Sequence, residues 1–357
     1  MNRIILVGNG FDLAHGLKSS YKDFVLDLIK QKIAQAFQEG TKNNFKANKV
    51  GYFYEDDLLS IHIPSYSNIK EFISLISKFD HLDEIKQVSN GKSLELKIKS
   101  KILSDFFENW ADFEKSFFDC LVRTYQENGD IKKLNAEFSL IRKYLKEYIH
   151  KIQIDIESEE FEITGIDKVK EIFCEGKLNS ILFLSFNYTR TLGFYFNEIQ
   201  KKISSRIIYL HGNVNDHLED DELIFGFDNN LDENFNKILS NSQTEYLNFF
   251  KSVLYSNTTN KRELVDFLAL GKFDVYSFGH SLDVSDFTIL REIFSHNNCT
   301  RIKIYCHPEN RIEDYNKKRN LLRQMLIDIN GGFSKLAERS VSTPMPILIS
   351  KAKELKF

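Results

Sequence analysis

The sequence predicts an α/β fold: a mostly parallel sheet with a large helical insertion between its first two strands. Three observations predict it. Short apolar runs recur at Arg3–Val7, Ser180–Phe186, Arg206–Leu210, Leu223–Phe225, Phe273–Phe278 and Arg301–Cys306, several apolar almost throughout, as strands buried on both faces are. Most end in Gly, Asn or His, and open parallel sheets bind ligands at the carboxyl ends of their strands. Between the first two runs, about 170 residues read as helical. That is far longer than a single crossover helix needs, so it reads as an insertion packed on the sheet and forming one wall of a pocket.

Taken in order, Arg3–Val7 stops at Gly8-Asn9-Gly10. Gly8 permits a tight reversal, and Gly10 leaves no side chain between backbone and ligand. The helix that follows offers N–H groups and a positive dipole end to a phosphate. The spacing is not G-x-G-x-x-G, because position 13 is Leu13, and Leu17 between Gly16 and Lys18 rules out a P-loop. Alone, the turn reads equally as a nucleotide turn or a plain strand end.

Tyr21–Phe37 is amphipathic, with Ser20-x-x-Asp23 as its capping box. Helices are also predicted over Ile69–Phe79, Ile98–Tyr125 and Ile131–Ile154. On Ile98–Tyr125, the face Leu103, Phe107, Trp110, Glu114, Phe117, Leu121 is apolar except at Glu114. A carboxylate there is costly to bury unless paired or functional, so Glu114 either faces a ligand or pairs within the core. Trp110 reads as core. Asp216–Glu222 reads as a solvated loop and Asp228–Thr244 as a mobile loop suited to a lid. The tail after Pro344 reads as a peripheral strand or interface segment. The resulting organisation is a Rossmann-like nucleotide-binding core from residues 1–20 and 176–310, a helical insertion over 21–175, and a C-terminal helix and tail over 311–357.

Composition narrows the function classes. The chain has 357 residues, 42% hydrophobic and 28% charged, with a net charge of −3. No global basic field draws it to nucleic acid or anionic lipid. The 31 Phe recur on the helical stripes and read as core. Cys120, Cys174, Cys299 and Cys306 form no C-x-x-C pair, which argues against a structural zinc site, and no metal is expected. No run approaches the roughly 18 apolar residues of a membrane helix, and Met1–Val7 is too short for a signal peptide. The expected location is cytoplasmic.

Later strand ends weigh on the opening turn. Asn187 follows the second strand, His211-Gly212 the third, and Gly279-His280-Ser281 the fifth. In a parallel sheet these ends share one rim. An amide, imidazoles and glycine turns together there have the composition of a ligand site.

The set G-N-G-F-D-L-A-H-G-L, W-A-D-F-E, F-N-Y-T, L-H-G and G-H-S-L-x-x-S-D resembles the AbiH family of bacteriophage abortive-infection proteins. More distantly, the strand ends resemble the sirtuin-like NAD-binding fold. Gly8-Asn9-Gly10-Phe11-Asp12 with His15-Gly16-Leu17 fits the opening frame, Asn187 the strand-end Asn, His211-Gly212 the His-Gly, and Gly279-His280-Ser281-Leu282 the fourth motif. Thr189 stands where sirtuins carry an Asp, and the four-cysteine zinc module is absent; both argue against peptide deacylation.

The resemblance therefore implies a phage-defence effector that hydrolyses NAD, its substrate, to nicotinamide and ADP-ribose. It makes Asn187 and His211 catalytic. Gly8, Asn9, Gly10, Asp12, His15, Gly279, His280 and Ser281 are expected to hold the dinucleotide. Cleavage of the nicotinamide–ribose bond develops positive charge on C1′, and nicotinamide leaves without a strong acid. Asn187 can orient the ribose or a water, and His211 can accept a proton. Asp12 either bonds the nicotinamide-side ribose or carboxamide, or caps its helix. A toxic activity of this kind needs restraint, so a homo-oligomer or a regulatory partner is expected, and no membrane or direct nucleic-acid partner. The alternatives are a non-catalytic NAD or ADP-ribose sensor and a nucleic-acid-directed effector.

Overall fold

The computed structural model describes residues 1–39, 51–64, 69–90, 94–100, 102–103, 109–158, 161, 163, 165–214, 223–240, 243–327, 329 and 340–345. The chain divides into two compact units. One comprises Met1–Ser19 and Ile149–Glu354, and the other is built mainly from Ser20–Tyr148.

The first unit holds a six-stranded sheet. In chain order the strands among the described residues are β1 (Asn2–Val7), β2 (Gly51–Glu55), β3 (Leu59–Pro64), β4 (Glu95–Ile98), β5 (Ser180–Ser185), β6 (Ser204–Tyr209), β7 (Phe273–Phe278), β8 (Cys299–Cys306) and β9 (Ser340–Pro344). The large sheet runs β6-β5-β1-β7-β8-β9, and every pairing in it is parallel. Counted within the sheet alone, that order is 3-2-1-4-5-6, the Rossmann-type order, and it reverses between β1 and β7.

The apolar runs explain the sheet. On β1, Ile4 and Leu6 enter the core on one face while Ile5 and Val7 enter the core on the other. Both faces are covered, so the strand reads as continuously apolar. Each such side chain contributes roughly 1.5–3 kcal/mol by leaving water. A buried ion pair fixes β1 against β7, with the Arg3 guanidinium reaching both Asp274 carboxylate oxygens at 2.9 Å. Among the described residues, no helix is long and apolar enough to cross a membrane.

Several expectations need correction. Leu223–Phe225 is not a strand: its side chains are buried, but its backbone joins no sheet, and pairing nearby is limited to an isolated bridge between Phe227 and Phe250. Asp228–Thr244 is not wholly irregular. It contains a helix, Glu233–Leu239, whose start is capped by Asp232 Oδ1 accepting from the Asn234 and Phe235 amides. The predicted helix Ile98–Tyr125 begins only at Trp110, where the Asn109 side chain accepts from the Asp112 amide at 3.1 Å. Ile98 ends β4 instead. Residues 101 and 104–108, including Phe107, lie outside the described residues, as do Asp216–Glu222. Past Pro344 only Met345 is described, while Ser340–Pro344 forms the edge strand β9.

The second unit is not helical alone. It contains the antiparallel sheet β2-β3-β4, whose middle strand alternates buried Leu59, Ile61 and Ile63 with half-buried Ser60, His62 and Pro64. Around it stand the helices Tyr21–Glu39, Ile69–Ser77, Leu82–Asn90 and Trp110–Gln126, with the first part of Ile131–Glu157. The capping box forms as read: Ser20 Oγ accepts from the Asp23 amide at 3.1 Å, and Asp23 Oδ2 accepts from the Ser20 amide at 3.2 Å. Trp110 packs on Tyr21 and Phe24 and is half-buried rather than fully in the core.

Candidate functional site at the carboxyl rim of the sheet

The two glycine turns meet at the point where strand order reverses. The Gly8 amide donates to the Phe278 carbonyl at 3.0 Å, and the Gly10 amide to the Gly279 carbonyl at 2.8 Å. A Cβ on Gly8 would lie 2.6 Å from His280 Cα, and one on Gly10 would lie 2.8 Å from the Gly279 oxygen. Gly279 itself has φ +64°, and its Cβ would lie 2.1 Å from the Phe11 nitrogen. These glycines are therefore required by each other. Gly10 also lines the cavity described below, so its missing side chain serves both the close approach to Gly279 and the open wall. The donors expected at a phosphate are also partly taken: the helix Asn9–Ala14 has six residues, and its Gly10 and Phe11 amides donate to Gly279 and Gly8.

At the end of β5, Asn187 Nδ2 donates to the Gly8 carbonyl at 3.1 Å. Asp12 stands beside it, with Oδ2 accepting from the Thr189 hydroxyl at 2.5 Å, which is linked in turn to Thr191 at 3.3 Å. Asp12 Oδ1 has no hydrogen-bond partner among the described residues. Burial pushes the Asp12 carboxyl up to about 6, against the opposing effect of Thr189, Thr191 and Asn187. Thr189, the departure from the sirtuin pattern, is thus the group that holds Asp12.

His15 leaves the candidate set. It is fully buried, with Nδ1 on the Phe11 carbonyl and Nε2 on the Tyr195 hydroxyl, both at 2.7 Å, so it presents neither nitrogen to a ligand. Burial lowers its pKa to about 4. Asn9 is half-buried and accepts from Ser19 Oγ at 2.6 Å.

At the ends of β6 and β7, His211 and His280 converge on Asp286, the last residue of the G-H-S-L-x-x-S-D motif. His211 Nδ1 donates to the Phe186 carbonyl at 3.1 Å, while Nε2 lies 2.9 Å from the Tyr255 hydroxyl and 3.1 Å from Asp286 Oδ1. Lys251 donates to the same carboxylate oxygen at 2.9 Å, and His280 Nε2 lies 3.7 Å from the other. The Leu282 amide donates to His280 Nδ1 at 2.9 Å. Burial opposes the charge on Asp286, but Lys251 and then His211 outweigh it and hold its carboxyl below the usual range. Burial, aided by Lys251, lowers the pKa of His211, and burial takes His280 down to about 4. His280 is therefore neutral at pH 7. Lys251 and Tyr255 left no signal in the sequence that pattern reasoning could use.

The described cavity at this rim opens on the other side of β1. It measures about 750 Å³ and its lining includes Gly10, Gly279, Ser281, Tyr305, His307 and Glu309. His280 reaches its wall. Asn187 and His211, 6% and 4% exposed, do not line it. Sequence reasoning missed Tyr305, His307 and Glu309, although the strand-end rule that found the other motifs applies equally to the end of β8.

The sequence model of the family described as bacteriophage abortive infection AbiH matches residues 4–307, a span that includes the carboxyl ends of β1, β5, β6, β7 and β8 but stops short of Glu309. The chain belongs to the AbiH family. No curated protein matches the chain. In this AbiH chain, the W-A-D-F-E motif lies in the second unit, where Glu114 is buried on the helix Trp110–Gln126. Among the described residues, no group of three or more His, Cys, Asp or Glu is placed to hold a metal ion.

Proposed function

We propose that this AbiH protein is a phage-defence effector that binds NAD at the reversal point of its parallel sheet and hydrolyses it to nicotinamide and ADP-ribose. The observation that carries the reading is the cavity beside Gly10 and Gly279, at the place where Rossmann-type sheets take dinucleotides. Its volume suits a dinucleotide half. The family match supplies the biological role.

In the reaction, a water oxygen bonds to C1′ of the nicotinamide ribose as the C1′–N bond breaks. The bonding pair leaves with nicotinamide, whose ring becomes neutral, and the water gives up one proton. Asn187 would orient the ribose by turning from the Gly8 carbonyl. His211 would take the proton on Nε2 after exchanging its contact with Tyr255 or Asp286 for the substrate, then release it to solvent. Restraint before infection is assigned to self-association or to a regulatory partner.

A second reading is favoured by one observation. Asn187 and His211 are almost inaccessible, and their polar groups are engaged within the protein. A sensor that binds NAD or ADP-ribose without turnover needs no more than that.

Incubation of the purified chain with NAD, followed by assay of free nicotinamide, separates the two. Release by wild type that falls at least about 100-fold in both Asn187→Ala and His211→Ala supports hydrolysis. Saturable NAD binding without release in wild type supports the sensor.

A further inference from the structure

We propose that Glu309 makes the reversal-point cavity selective for a dinucleotide with an unphosphorylated adenosine ribose, NAD rather than NADP. The inference rests on the NAD reading above. A dinucleotide lies across the reversal point with one half on each side. Asn187 and His211 follow β5 and β6, so the nicotinamide ribose belongs on that side. The adenosine half then falls on the opposite side, in the cavity reached by the ends of β7 and β8.

The charges lining that cavity single out one residue. They are Glu309, Asp314 and Lys318. Lys318 Nζ lies 2.8 Å from Asp314 Oδ2, and the same oxygen accepts from the His307 amide at 2.9 Å. That pair cancels its own charge and is already hydrogen-bonded. Burial keeps His280 neutral. Among the described lining residues, Glu309, exposed just beyond the end of β8, is left as the uncompensated charge. A carboxylate accepts hydrogen bonds from both hydroxyls of a ribose and repels a phosphate ester placed on one of them. Among the described residues, the lining contains no arginine, the residue that accommodates a 2′-phosphate in dinucleotide folds.

The test uses ADP-ribose and its 2′-phosphate as probes, because neither carries nicotinamide and turnover cannot enter the result. Titration calorimetry on the full chain is expected to show ADP-ribose binding at least about tenfold more tightly than its 2′-phosphate. Glu309→Gln should narrow that ratio to about threefold or less, and Glu309→Lys should abolish or reverse it. The side chain is exposed, so both variants should melt at the wild-type temperature. Equal wild-type affinities, or a ratio unmoved by both substitutions, overturn the role of Glu309 and leave the NAD reading standing. Failure of either probe and of NAD to bind wild type overturns the NAD reading, and this proposal with it.

Discussion

On either side of β1, the carboxyl rim of the sheet is built as two different surfaces. Toward β5 and β6 it is a buried polar core, in which Asp12 is held by Thr189, Asn187 by the Gly8 carbonyl, and His211 by Tyr255 and Asp286. Toward β7 and β8 it is an open cavity lined by glycine backbone and by the exposed Ser281 and Glu309. The residue types that announce chemistry in the sequence lie mostly on the closed side, and the space for a ligand lies on the open side. A motif rich in His, Asp and Asn can therefore mark the framework that shapes a rim as readily as the groups that touch a substrate.

The comparison is broken most severely where the two sides join. Gly279→Ala places a Cβ within 2.1 Å of the Phe11 nitrogen at a positive φ. It should cost about 3 kcal/mol or more, or prevent folding, as read by thermal or denaturant melting. Next, Lys251→Met strands the buried Asp286 carboxylate without its cation. A loss of about 3 kcal/mol is expected in the same measurement. No change in melting would show that Asp286 is neutralised by other means.

A third prediction uses pH. The folded pKa of Asp12, about 6, is raised from 3.8. Its stabilising contribution is therefore full below about pH 4 and is lost as pH rises through 6. Asp12→Asn removes that loss, so from pH 4 to pH 8 the stability difference should move by up to about 3 kcal/mol in favour of the variant. His280 carries the opposite sign: lowered from 6.5 to about 4, it contributes above pH 6.5 and loses its contribution as pH falls through 4. A flat difference for Asp12→Asn would show that its carboxylate is better solvated than its burial implies. The smallest effect belongs to the open side, where Glu309→Gln should leave the melting temperature within error while changing ligand preference.

Much of the parallel sheet was legible, for a physical reason. Strands covered on both faces carry polar residues only where these are partnered, as Arg3 and Asp274 are, so stretches such as Ile4–Val7 and Ile181–Leu184 appear as unbroken apolar runs. The capping box was equally legible, because Ser20 and Asp23 act within one turn. The small antiparallel sheet was missed although Leu59, Ile61 and Ile63 alternate; its strands are four to six residues long and sit among helical patterns. At the rim, the residue types were visible but their partners were not. His211 meets Asp286 across 75 positions and Asp12 meets Thr189 across 177, separations no local pattern encodes. Glu309 went unread because its meaning lies in charge balance: Asp314 and Lys318, four residues apart, cancel each other and leave it alone.

The claim that the open side receives a dinucleotide is tested most directly by titrating NAD into wild type and Ser281→Trp. Ser281 is exposed on the cavity wall, so an indole there fills the space without disturbing the buried network. Saturable binding to wild type and its loss in Ser281→Trp, at an unchanged melting temperature, is the predicted result. Binding of equal strength to both proteins, or none to wild type, would contradict it.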